Sequence, residues 1–158
     1  MRKIDYKKIM IATDGSDCSR LAIDKGIELA RLSGGTVYAV HVISTAYLFP
    51  MDGYYFMGMN PYWESIHEAL KNQGQQALDY IKRLGEVKGI NVEFIMLEGN
   101  PSEELIKYAD QEKMDIVIMG TLGKTELNRM LIGSVAGNLV RYSTVPIMVV
   151  SKKYEPQD

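Results

Sequence analysis

Short apolar runs alternate with amphipathic segments along nearly the whole length of this 158-residue chain. The apolar runs have the length of buried strands, and they are Lys8–Thr13, Thr36–Ile43, Asn91–Leu97, Asp115–Met119 and Val145–Val150. The segments between them carry apolar residues at helical spacing, and they are Asp17–Leu32, a stretch from Trp63 to Leu84, a helix that begins at Pro101, and Ser134–Tyr142. Strands separated by helices pair in parallel, so the pattern predicts an α/β fold with a five-stranded parallel sheet between two helical layers.

Local signals mark where two of these helices begin and end. Asn100 can cap a helix whose first residue is Pro101, and Glu103 stands at the position of a capping box. Gly89 is typical of a helix end and precedes the third strand. These signals support the division into elements.

Length and charge limit the classes of function. A chain of this length is most simply one domain, 1–158, and we see no internal repeat or linker. The net charge of −2 comes from scattered acids and bases, which argues against a nucleic-acid surface. No segment approaches about 18 consecutive apolar residues, and the first residues lack the apolar core of a signal peptide. We therefore expect a cytoplasmic protein without a membrane span.

A spaced set of glycines follows the fourth predicted strand. Gly120 and Gly123 stand three residues apart, nine residues follow, and Gly133 and Ser134 then begin the last helix. Glycines at a strand-to-helix junction let backbone N–H groups approach an anion, and a helix N-terminus faces the same point. The spacing predicts binding of nucleotide phosphates.

Two better known glycine motifs do not fit. A Walker A loop ending at Lys124 requires glycine where Ile118 stands, inside the predicted strand. No strand is followed by the Gly-x-Gly-x-x-Gly fingerprint of dinucleotide-binding folds. The alternative that each glycine makes only a turn stays open at the single positions.

The glycine pattern resembles the ATP-binding signature of the universal stress protein family. The resemblance extends to other segments of the chain, namely Lys8–Ser16, His41-Val42, Gly99-Asn100-Pro101 and Val145–Val150. It implies a Rossmann-like fold of the adenine-nucleotide alpha-hydrolase type with strand order 3-2-1-4-5. The first and fourth strands are then neighbours, which brings Asp14 close to Gly120.

The resemblance also implies a binding site for ATP, or for AMP or ADP. The residues assigned to it are Ala12, Thr13, Asp14, Val42, Met119, Gly120, Gly123, Gly133, Ser134 and Val135. Lys124 and Arg129 lie in the loop between the glycines and are added as cations that could neutralise the triphosphate, the alternative being that they are solvated surface charges. Asp14 is expected near the ribose and, through Mg²⁺ or Mn²⁺, near the phosphates. Val42 is expected to hold the adenine edge through its backbone. The alternative role of Asp14 is that of N-cap for the first helix.

The function implied is that of a regulatory protein that senses or signals through bound nucleotide, with at most slow hydrolysis. Leu122 departs from the polar residue common at that position in the family, and we find no convincing general base. The alternatives are an ATP-cleaving or adenylating enzyme, a phospho-receiver or flavodoxin-like domain, and an interaction module that needs no nucleotide. The trigger and the protein partner stay unknown.

Two further segments suggest contacts with other surfaces. Aromatic and methionine residues crowd the connection from Tyr47 to Trp63, which predicts a loop, at about 44–62, that is covered by a partner, by nucleotide or by itself. The last strand, Val145–Val150, is expected at a sheet edge, where it invites pairing with a second copy of the chain. In the family this strand pairs with its twin, so the resemblance implies a homodimer.

Overall fold

The fold is a parallel five-stranded sheet in the order β3-β2-β1-β4-β5. A computed structural model describes residues 5–45, 62–121 and 132–151. In chain order the elements are β1 Lys8–Ala12, α1 Asp17–Ser33, β2 Thr36–Ser44, α2 Trp63–Lys88, β3 Val92–Gly99, α3 Pro101–Gln111, β4 Ile116–Gly120, α4 Ser134–Tyr142 and β5 Ile147–Val150. The predicted fold class and strand order are confirmed. The aromatic connection lies mostly outside the described residues.

The sheet is buried between two helical layers. Side chains of β1 alternate between them, with Ile9 and Ile11 in the cluster under α1 and α2 and Met10 in the cluster under α3 and α4. Both clusters are almost entirely aliphatic. Because β1 and β4 are covered on both faces, their sequences are continuously apolar rather than alternating.

The strand ends differ from the predicted ones by one or two residues. β5 begins at Ile147, two residues later than expected, because Pro146 has no N–H to donate and the Val145 N–H bonds to the Ser143 hydroxyl at 3.1 Å. β3 continues to Gly99, since Glu98 and Gly99 still pair with the end of β2.

The helix termini follow the local signals. Asn100 caps α3 and accepts from the Glu103 N–H at 3.2 Å, and Gly89, with φ of +68°, is the C-cap that follows the last residue of α2. α1 is capped by Ser16, whose hydroxyl accepts from the Ser19 N–H, so the alternative role of Asp14 as N-cap is wrong. Within the described ranges, the helices are too short or too polar to cross a membrane.

Candidate functional site

A cleft of about 530 Å³ opens at the carboxyl ends of the central strands. It lies where the chain reverses its winding, between β1 and β4, which is where open α/β sheets bind ligands. The cleft is lined by every described residue assigned to the site, namely Ala12, Thr13, Asp14, Val42, Met119, Gly120, Gly133, Ser134 and Val135. The three other assigned residues, Gly123, Lys124 and Arg129, lie outside the described residues.

The loop after β1 is organised by its own side chains. The Gly15 N–H donates to the Thr13 hydroxyl at 3.1 Å, and the Ser16 N–H donates to Oδ1 of Asp14 at 2.9 Å. The Thr13 hydroxyl also lies 3.1 Å from that of Ser19. These bonds hold Asp14 at the cleft in a turn typical of aspartate.

The end of β4 and the start of α4 are joined by one hydrogen bond. The Gly133 N–H donates to the Thr121 carbonyl at 2.6 Å, and the Thr121 N–H donates to Val150 at 3.1 Å. The Gly133 N–H therefore already has a hydrogen-bond partner within the protein. What Gly133 offers a ligand is a backbone without a side chain, and the next two residues, Ser134 and Val135, also line the cleft.

The first turn of α4 lacks the cap that α1 and α3 have. Its N-cap position is held by Gly133, which has no side chain to cap the helix. The first amides of an α-helix have no partner within the helix and carry a partial positive charge. The site thus presents hydrogen-bond donors and a favourable potential to an anion.

One wall of the cleft includes buried apolar side chains and a polar pair. Met119 and Leu105 are buried there, in the cluster shared by α3 and α4. On the same wall the Asn138 side chain donates to the Ser102 hydroxyl at 3.2 Å. A flat apolar group with a polar edge, such as a nucleobase, matches such a wall.

Several lining residues were missed by the sequence reasoning. They come from α2, α3 and α4 as well as from the strand ends, and include Ser44, Gln73, Asn100, Ser102, Thr121 and Asn138. Asn100 carries a visible signal, but that signal is for a helix cap. The others become neighbours only through the packing of helices, which no local pattern reports.

The described lining of the cleft holds few side chains that could bind a metal ion. Among residues 5–45, 62–121 and 132–151 no three His, Cys, Asp or Glu side chains gather as a cation site. Asp14 supplies a carboxylate to the cleft, and an ion there would need phosphate oxygens or water as its other ligands.

Comparisons with known proteins identify relatives of this chain. The family model described as "Universal stress protein family" matches residues 5–151. The universal stress protein MJ0531 of Methanocaldococcus jannaschii is 41% identical over 147 residues, which are 93% of this chain and 83% of the relative. MJ0577 of the same organism is 33% identical over 156 residues, covering 94% of this chain and 96% of the relative.

Solved structures give the same result. The structure of MJ0577 superposes with a TM-score of 0.81 at 31% identity and covers 95% of this chain and 99% of its own. A universal stress protein from Archaeoglobus fulgidus, solved in complex with dAMP, has a TM-score of 0.62 at 25% identity, over 92% of this chain and 98% of its own. On its sequence and its fold, this chain belongs to the universal stress protein family.

Proposed function

We propose that this chain binds an adenine nucleotide, with ATP as the principal ligand, and acts as a regulatory protein. The observation that carries the proposal is that α4 begins, with glycine at its N-cap, at a cleft of nucleotide size. The amides of Ser134 and Val135 would hold phosphate oxygens there. Gly133 would allow the phosphates to approach the backbone.

The base would lie against the apolar wall. Val42 is at the end of β2, where its backbone would meet the edge of an adenine, and Met119 would pack against the ring face. The complex of the A. fulgidus relative with dAMP supports an adenine ligand. Ala12 and Thr13 would lie beneath the nucleoside.

Asp14 would act on the ribose and on a phosphate-bound Mg²⁺ or Mn²⁺. A carboxylate beside a triphosphate needs a cation between the two negative groups, because their direct contact is repulsive. Lys124 and Arg129 would add positive charge from the segment between β4 and α4. These two roles rest on the sequence alone.

The cleft favours holding ATP over cleaving it. Asp14 and His41 are the titratable side chains that line it within the described ranges. His41 is committed through Nδ1 to the Thr13 carbonyl at 2.8 Å, so this nitrogen cannot take a proton from water. We propose slow hydrolysis at most, with the nucleotide changing the affinity for a partner.

The regulatory unit would be a homodimer formed through β5. This strand is at one edge of the sheet, and Met148 on it is 38% exposed. An edge strand with an exposed apolar side chain offers a second copy both hydrogen bonds and apolar surface.

Two measurements test the function together. Purified protein is denatured by heat and the released small molecules are separated by ion exchange, and nucleotide-free protein is titrated with ATP, AMP and GTP in a calorimeter. We expect recovered adenine nucleotide, or binding of ATP that is tighter than that of GTP. If no nucleotide is released and none binds, the proposal is refuted and an interaction module is favoured. Rapid release of phosphate from ATP would favour an ATPase.

A further inference from the structure

His41 is packed against the backbone of α2. A Cβ built on Gly74 would stand 2.5 Å from Cδ2 and 2.9 Å from Nε2 of the imidazole, closer than side chains tolerate. The histidine is 9% exposed and lies at the carboxyl end of β2. Glycine at position 74 is thus what lets the helix pass this close to the ring.

The imidazole of His41 makes a hydrogen bond to the backbone just after β1. Nδ1 of His41 lies 2.8 Å from the Thr13 carbonyl oxygen. A carbonyl oxygen only accepts, so Nδ1 carries the proton and donates. The Thr13 N–H donates in turn to Val40 at 3.0 Å, so β2 binds Thr13 through both its amide and its carbonyl.

Thr13 is the base of the loop that presents Asp14. Its hydroxyl accepts from the Gly15 N–H, and the Asp14 carboxylate accepts from the Ser16 N–H. If the Thr13 carbonyl lost its donor, it would be a buried acceptor without a partner, and the peptide would turn to satisfy it. That turn would move the following residue, which is Asp14.

From this chain of contacts we infer that His41 is a positioning residue for the nucleotide site. Its Nδ1–H fixes the Thr13 peptide and thereby the direction of the Asp14 carboxylate, and Gly74 makes the required closeness possible. The inference rests on the proposed function only where Asp14 meets a ligand. The ordering of the loop is a property of the nucleotide-free protein.

Hydrogen exchange in the nucleotide-free protein is the first test. The amides of Gly15 and Ser16 report the loop, because each donates within it. In His41→Leu we expect their exchange to rise about tenfold, as the loss of one well placed hydrogen bond allows. His41→Asn carries an amide N–H near the place of Nδ1, and its exchange should stay within about threefold of the wild type. Unchanged exchange in His41→Leu would overturn the inference.

The matched control lies on the same helix. Gly85 is also a buried glycine of α2, and a Cβ there would stand 2.5 Å from Cγ2 of Val92. Gly74→Ala and Gly85→Ala should both lower the melting temperature, but only Gly74→Ala should speed exchange at Gly15 and Ser16. Equal exchange in the two variants would mean a general loss of stability, and the inference would fail.

The second test couples His41 to Asp14 through ATP affinity. We expect His41→Leu to weaken ATP binding about tenfold in the wild type and less than about twofold in Asp14→Asn, because the two residues act through one loop. Losses that multiply would show that His41 does not act through Asp14. A wild type that fails to bind ATP would refute the proposed function, and the exchange measurements would still decide this inference.

Discussion

Gly120, at the end of β4, lies against the backbone of Cys18, in the first turn of α1. A Cβ built on Gly120 would stand 2.8 Å from the carbonyl carbon of Cys18 and 2.9 Å from its carbonyl oxygen. The first glycine of the motif therefore has a packing reason that does not involve a ligand. It lets α1 begin close to β4, which places Asp14 and Gly133 on one cleft.

We expect Gly120→Ala to destabilise the fold by about 1–3 kcal/mol, since the added methyl group meets backbone atoms that cannot rotate away. Urea denaturation followed by circular dichroism measures this change. Gly137→Ala is the control. Among the residues that the structure describes, a Cβ at Gly137 would meet Ile132 alone, at 3.8 Å, and alanine in a helix is favoured over glycine by up to about 1 kcal/mol. Equal stability of Gly120→Ala and the wild type would contradict the packing argument.

The edge strands give a matched test of the dimer. Met148 on β5 and Phe94 on β3 are 38% and 42% exposed, at opposite edges of the sheet. A lysine at either place adds a charge of equal exposure, but only Met148→Lys would disrupt pairing through β5. In sedimentation velocity we expect Met148→Lys to be monomeric and Phe94→Lys to be dimeric. A dimer unaffected by Met148→Lys would place the interface elsewhere.

Alkaline pH should weaken the fold partly through Tyr108. Burial, with the nearby charge of Glu112, raises the pKa of this phenol above its ordinary value. The folded state then favours the neutral phenol, so this contribution is complete below about pH 10 and is lost as the pH rises through the folded pKa.

The variant Tyr108→Phe isolates that effect. Its free energy of unfolding should fall less than that of the wild type between about pH 9 and about pH 11. Urea titrations at both pH values measure the difference. A parallel decline of the two proteins would show that Tyr108 does not contribute.

The sheet and its order followed from repeated local patterns and from the family resemblance, because each strand carries its own apolar signal. The position of the cleft could also be predicted, because the carboxyl ends of β1 and β4 are neighbours once the strand order is known. Two contacts could not be predicted from the sequence. They are the hydrogen bond from the Gly133 N–H to the Thr121 carbonyl and the packing of His41 on Gly74. From the local sequence, Gly74 is only a residue of low helix propensity. Its packing role appears only once α2 is placed against His41 of β2.

The proposed function requires phosphate to be held at the start of α4, and a pair of variants at Gly133 tests this. The backbone there, with φ of −60° and ψ of 161°, accepts any residue. Gly133→Asn adds a side chain that competes for the helix amides, and Gly133→Asp adds the same shape with a negative charge.

The decisive measurement is calorimetric titration of both variants with ATP and with AMP. We expect Gly133→Asp to bind ATP at least about tenfold more weakly than Gly133→Asn, through repulsion between like charges, with a smaller difference for AMP. Equal ATP affinity in Gly133→Asp, Gly133→Asn and the wild type would contradict phosphate binding at this helix.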